Sequence, residues 1–224
     1  MKPYYQDEWA TIYHGDCREI LPTLPKVDLV LTDPPYGIGE GAKATRRTAS
    51  AKPDRRWRGR GRTDYETTFD DTRPSDWVLG LIQEKAEHLI IFGGNYFSLP
   101  PSSCWLVWDK LNGASDFADC ELAWTNLDKA VRKISYLWNG FQKAKPEDRK
   151  HPTQKPLEVI SWAILQAPET CRTILDPVMG SGTTLVAAKN LNRKAIGIEL
   201  EEKYCEIAAK RLAQRVMDFS GVSA

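Results

Sequence analysis

Asp33-Pro34-Pro35-Tyr36 places an acid, two rigid residues and an aromatic ring at four consecutive positions, directly after the apolar run Val27-Asp-Leu-Val-Leu-Thr32. A run of that length bounded by prolines reads as a buried strand. The prolines cannot donate to a sheet ladder, so the strand ends at Asp33. The Asp33 carboxylate and the Pro34 carbonyl then form two hydrogen-bond acceptors in a fixed geometry. Such a pair suits an amine whose lone pair is delocalised into a heteroaromatic ring and is therefore a poor nucleophile. Accepting both N–H groups favours a pyramidal nitrogen, and the carboxylate stabilises positive charge developing there during group transfer. Tyr36 adds a ring on which such a heterocycle can stack. Asp33, Pro34, Pro35 and Tyr36 are the candidate catalytic residues.

A second acid, Asp176, ends the run Thr173-Ile-Leu-Asp176 and leads into Pro177-Val-Met179-Gly180-Ser181-Gly182-Thr183-Thr184. Gly180 and Gly182 permit a tight turn and a close backbone approach to a ligand, and Ser181, Thr183 or Thr184 can cap the helix that follows. The turn lacks the full GxGxxG pattern, and an acid at the strand end would repel a pyrophosphate. It favours a cationic ligand portion instead. S-adenosylmethionine carries an ammonium and a sulfonium, so the acid points to that cofactor. Glu199 ends the next strand 23 residues later. That is close to the spacing of the acid that binds ribose hydroxyls in doubly wound nucleotide sites.

Charge is distributed unevenly. The formal net charge is +1, yet residues 41–62 hold nine basic residues and one acid, Asp54, a local +8 that leaves −7 on the remainder. A cationic segment in a nearly neutral chain suggests a polyanion bound at one place. Within it, Arg46, Arg47, Lys52, Arg55, Arg56, Trp57, Arg58, Arg60 and Arg62 are candidate DNA contacts. Arginines neutralise phosphates, and Trp57 can stack on a base. The segment is mobile without DNA and ordered on it, in this reading.

The elements that must hold these residues alternate along the chain. Strands are expected at Thr11–His14, Val27–Thr32, His88–Phe92, Trp105–Lys110, Glu121–Thr125, Lys133–Trp138, Thr173–Asp176 and Lys194–Glu199, the fifth and sixth of them paired as a hairpin. Helices are expected at Arg18–Leu24, Asp76–Glu87, Pro156–Gln166, Thr183–Leu191 and Glu202–Val216. Alternation of this kind implies an α/β fold, a Rossmann-like and mostly parallel doubly wound sheet with an antiparallel hairpin. Ligands bind outside the carboxyl ends of such strands, where both acidic motifs fall.

The 224 residues suit one domain, 1–224, with 38–75 as a basic DNA-binding loop insertion. Five scattered cysteines without a CxxC pair argue against a disulfide framework, and with three histidines lacking ligand spacing they exclude a metal site. No apolar run is long enough to span a membrane and the start has no signal-peptide core, so a cytoplasmic protein is expected.

The ordered blocks Asp33–Tyr36, His151-Pro-Thr-Gln-Lys-Pro156 and Asp176–Thr184 resemble the amino-methyltransferases of DNA, specifically their circularly permuted beta group, in which the catalytic motif precedes the cofactor motif. The resemblance runs from about residue 11 to 215. It implies methyl transfer from S-adenosylmethionine to a base extruded from double-stranded DNA, with S-adenosylhomocysteine as product, in a prokaryotic or phage restriction-modification setting. By the same resemblance Thr153 and Lys155 lie near the methionine portion of the cofactor, and Asp16 and Cys17 approach its adenine side. The remaining cofactor residues are then Asp33, Asp176, Pro177, Met179, Gly180, Ser181, Gly182, Thr183 and Glu199. An Asp at the first catalytic position leans towards the N6 of adenine; N4 of cytosine is the alternative, and a non-catalytic cofactor-holding DNA-binding module is the reading from another class. The group often forms homodimers. Val178 departs from the pattern, since the family often has an aromatic residue there.

Overall fold

A computed structural model of the chain describes residues 1–37, 76–113, 118–138 and 154–214. Among them the strands are β1 (Tyr5–Gln6), β2 (Ala10–His14), β3 (Val27–Thr32), β4 (Ala86–Phe92), β5 (Trp105–Asp109), β6 (Cys120–Thr125), β7 (Arg132–Ser135), β8 (Thr173–Asp176) and β9 (Lys194–Glu199). The helices are α1 (Cys17–Ile20), α2 (Asp76–Glu84), α3 (Leu157–Ile164), α4 (Thr183–Asn190) and α5 (Glu202–Ala213). All described strands join one sheet in the order β1-β2-β9-β8-β3-β4-β6-β5-β7.

Five neighbouring strands, β2, β9, β8, β3 and β4, run parallel, so their carboxyl ends share one edge. Strand β3, the middle strand of the whole described sheet, is buried along nearly its whole length, which is why it reads as a continuous apolar run rather than an alternating one. Its side chains still alternate between faces. Leu29 and Leu31 enter a core with Val159, Ile160, Leu185, Ala208 and Leu212 of α3, α4 and α5. Val30 enters the opposite core with Ile20 of α1 and Val78, Leu79 and Ile82 of α2. Helices therefore cover both faces, the doubly wound arrangement that the alternation implied.

The expected hairpin does not form between the strands proposed for it. β5 lies between β6 and β7, antiparallel to β6 and parallel to β7. The antiparallel pairs are β1–β2, β4–β6 and β5–β6. The pleat explains the difference. Seating β6 against β4 buries Ala123, Trp124 and Thr125 in the sheet, whereas the burial of β7 is slight and it serves as an edge. Helix α5 ends at Ala213, short of the expected Val216, which lies outside the described residues. Among the described residues no helix is long and apolar enough to cross a membrane. Nor does any cluster of His, Cys, Asp and Glu there form a metal-binding group.

Candidate active site

The chain moves outward from β3 to β4 on one side and from β8 to β9 on the other, so the order of strands reverses between β3 and β8. A crevice outside the carboxyl ends of two such strands is where an open α/β sheet accepts ligands. Here it is lined by Asp33, Lys155, Asp176, Met179, Ser181 and Thr184, among others. Register fixes the meeting of the two acids: Leu29 and Val30 lie beside Ile174 and Leu175, so both strands finish together. The buried Thr32 hydroxyl then donates to Asp176 Oδ1 across 3.2 Å.

Asp176 is 4% exposed and its hydrogen-bond partners are neutral: the Thr32 and Thr184 hydroxyls and the Val178 N–H. Burial pushes its carboxyl up to about 7, with those donors opposing and Asp33 adding to the rise. No lysine or arginine pairs with it among the described residues. A buried carboxylate short of a cation is a seat for the cationic end of a ligand.

The turn after Asp176 is fastened on three sides. Met179 N–H donates to the Ile198 carbonyl, and Gly180 N–H to Glu199 Oε2 at 2.9 Å. Arg211 of α5 donates to the Ser181 carbonyl at 2.7 Å and to the Thr183 hydroxyl at 3.1 Å. Gly182 has φ +77°, and a Cβ there would meet Ala208 Cβ at 2.7 Å, so a glycine lets α5 pack on the turn. The expected hydroxyl cap is absent: Gly182 itself is the N-cap of α4, with no side-chain bond. The Thr183 and Thr184 hydroxyls instead serve Arg211 and Asp176. Pro177 and Met179 are buried beneath the turn.

Glu199 is also engaged. Its second oxygen accepts from Glu201 N–H at 2.7 Å, so this acid shapes the backbone at the end of β9, and burial pushes its carboxyl up. Pairing of His14 with Glu199 brings Gly15, Asp16 and Cys17 to the same edge. Asp16 caps α1 through Arg18 N–H and forms an ion pair with the Arg18 side chain, which holds its carboxyl below the usual range. Cys17 is partly buried beside it.

The candidate catalytic tetrapeptide is held more tightly than its sequence suggested. Asp33 Oδ1 accepts from the Tyr36 hydroxyl at 2.6 Å, and Oδ2 from Lys155 Nζ at 2.6 Å. Burial pushes the Asp33 carboxyl up; Lys155 opposes this and Glu121 adds to it. The Tyr36 ring lies against the backbone of Gly93, where a Cβ would come within 2.1 Å of it. One face of that ring stacks on Tyr96, with centroids 4.9 Å apart, so the platform expected from sequence carries an aromatic partner already.

Lys155, read from the resemblance as a cofactor contact, reaches Asp33. Its ammonium also lies 3.0 Å from Glu121 Oε2, and Glu121 Oε1 lies 2.5 Å from Lys110. Burial works against the Lys155 charge, but Asp33 and Glu121 together hold it above the usual lysine range. Against its own burial, Lys155 and Lys110 draw the Glu121 carboxyl down to about 2. Sequence reasoning missed Glu121, Tyr96, Gln154 and Arg211. The signal for Glu121 was an acid in the otherwise apolar Glu121-Leu-Ala-Trp-Thr125. Thr153, His151 and all nine candidate DNA contacts from Arg46 to Arg62 lie outside the described residues.

Residues 108–210 match a protein family described as DNA methylase. The type II methyltransferase M2.LlaDCHI of Lactococcus lactis subsp. cremoris is 28% identical, over 94% of this chain and 92% of its own length. M.HinfI of Haemophilus influenzae is also 28% identical, over 96% of this chain and 71% of its own. Among solved structures, the M1.HpyAVI–SAM complex aligns with TM-score 0.57 and 24% identity over 92% of this chain and all of that one. PvuII DNA methyltransferase, described as cytosine-N4-specific, aligns with TM-score 0.58 and 16% identity over 99% of this chain and 91% of that one. At those identities the structures speak to the fold alone.

Proposed function

We propose that this chain, which matches a DNA methylase family over residues 108–210 and aligns with type II methyltransferases over nearly its whole length, transfers a methyl group from S-adenosylmethionine to the exocyclic N6 of adenine in DNA. The observation that carries the reading is the meeting of Asp33 and Asp176 at one crevice, tied by Thr32, one acid for the nucleophile and the other for the cofactor.

The residues present fit the cofactor. Asp176 is a buried acid with neutral donors and lacks only a cation; the Gly180–Thr183 turn beside it is fixed by bonds to Glu199 and Arg211. Asp176, Met179, Gly180, Ser181, Gly182 and Thr183 would hold it, with Thr153, Pro177 and Glu199 supporting and Asp16 and Cys17 flanking the adenine side. When bound, S-adenosylmethionine supplies an electrophilic methyl group on a cationic sulfur.

The chain's own residues do the rest. Asp33 takes one N–H of the target amine and the Pro34 carbonyl the other, which turns the nitrogen lone pair out of conjugation. The carboxylate then offsets positive charge growing on nitrogen. The Pro34-Pro35 pair keeps the acceptors fixed, and Tyr36 takes the extruded base on its ring in place of Tyr96. An Asp at the first position of the tetrapeptide favours adenine. Segment 38–75 contacts DNA through Arg46, Arg47, Lys52, Arg55, Arg56, Trp57, Arg58, Arg60 and Arg62. A homodimer supplies added DNA contact within a single-domain chain, working in the cytoplasm of a prokaryotic host.

Transfer of labelled methyl groups to double-stranded DNA, followed by nucleoside analysis, tests the reading. N6-methyladenine is expected; N4-methylcytosine would overturn the adenine assignment, and no transfer would overturn the function. Asp33→Ala is expected to lower the rate by at least about 100-fold with cofactor affinity kept. Normal methylation by that variant would remove Asp33 from its role.

A further inference from the structure

Resting on the methyltransferase reading, we propose that Glu121 is a positioning residue for methyl transfer, drawing the Lys155 ammonium off Asp33 so that the carboxylate can take the target amine. Both Asp33 oxygens are occupied in this structure, by the Tyr36 hydroxyl and by Lys155. An incoming N–H therefore needs one of them released. Lys155 Nζ stands between two carboxylates, 2.6 Å from Asp33 and 3.0 Å from Glu121, so a small movement along its flexible stem transfers the ammonium from one to the other. The stem is 8% exposed and the ammonium lies 4.9 Å from the centre of the Phe92 ring, which leaves it little other direction to move. Lys110, 2.5 Å from Glu121, keeps that acid ionised and aimed.

Four groups thus alternate in sign through successive ion pairs, Lys110, Glu121, Lys155 and Asp33, and sum to no charge. They come, in that order, from the residue after β5, from β6, from the segment before α3 and from the residue after β3. Among the described residues, the other polar groups facing Asp33 are Tyr36 on its own segment and Asp176 at the end of β8. Without Glu121 the Lys155 ammonium has one carboxylate left and settles on Asp33, where it competes with the amine. The same loss removes a negative charge that faces Asp33, so the Asp33 carboxyl titrates at lower pH.

The test compares full-length wild type with Glu121→Gln and Glu121→Asp. Single-turnover methylation is measured as a function of pH, alongside cofactor Kd and thermal melting. Glu121→Gln is expected to fold and to bind cofactor within about threefold of wild type. Its transfer rate should fall about 10- to 100-fold, as for a misplaced reacting group, and the acid limb of its pH profile should move to lower pH. A purely structural role would leave the acid limb in place. Glu121→Asp, which keeps the charge but draws it back, should recover part of the rate with the wild-type acid limb. A Glu121→Gln enzyme with wild-type rate and acid limb would overturn the inference while leaving the methyltransferase reading intact. If Glu121→Gln does not fold, a Glu121→Asp rate equal to wild type overturns it instead. Inactive wild type would sink the methyltransferase reading and the inference together.

Discussion

At the scale of single residues, Asp176 and Glu121 are buried acids with opposite fates, and partners decide which. Glu121 has two ammoniums and is drawn down to about 2; Asp176 has neutral donors and rises to about 7. The consequences for stability follow from linkage. Asp176 binds its proton more tightly folded than unfolded, so the unliganded protein is most stable below about pH 4 as far as this group is concerned. That contribution is lost as pH rises through about 7. Glu121 acts in the other sense: its contribution is present above the ordinary carboxylate range and lost as pH falls towards 2. Asp176→Asn, neutral at every pH, should flatten the decline in melting temperature between pH 5 and 8; an unchanged decline would mean another group causes it. In the proposed function, cofactor binding draws the ionised form of Asp176. Affinity should therefore improve about fivefold from pH 6 to 7, with proton release detectable by calorimetry in buffers of different ionisation heat. In Asp176→Asn that release should vanish.

Elements set distances that single residues cannot. Gly93, at the end of β4 with φ +64°, lets the Tyr36 ring approach the backbone. Gly93→Ala adds a Cβ into that ring and strains a left-handed position by about 1–2 kcal/mol. We expect Tyr36 to be displaced from Asp33, and methylation to fall well beyond what the modest loss of melting temperature explains. Proportionate losses of rate and stability would argue against this. Strands β3, β8 and β9 were legible because each is an apolar run ended by an acid or proline. The placing of β5 between β6 and β7 was not, since pairing between strands depends on which faces find a partner. Gln154 and Arg211 were equally hidden: each acts on Ser181 from a segment distant in sequence.

Across the whole molecule, five parallel strands bring the ends of β2, β3, β4, β8 and β9 to one edge, and the reversal between β3 and β8 makes that edge a site. The DNA reading adds segment 41–62, whose +8 sits just after the Asp33–Tyr36 tetrapeptide in the chain. Replacing Arg55, Arg56, Arg58, Arg60 and Arg62 by glutamine should weaken DNA binding and reduce the dependence of log K on log salt. The slope should shrink by roughly 0.9 for each phosphate that is no longer neutralised. Cofactor affinity should stay as it is. A variant with the wild-type salt slope would show that these arginines do not touch DNA phosphates.

From the sequence alone came the alternation of strands and helices, the acids at two strand ends, and their order along the chain. These are local properties, written in hydrophobic period, proline stops and glycine turns. Only the tertiary structure decided what each acid faces. Asp33 meets Lys155, Asp176 meets no cation among the described residues, and Glu199 holds the backbone of the Gly180 turn that follows β8. The physical reason is that a carboxylate's charge state and availability depend on neighbours within a few ångströms. Those neighbours come from strands that only the closed sheet brings together.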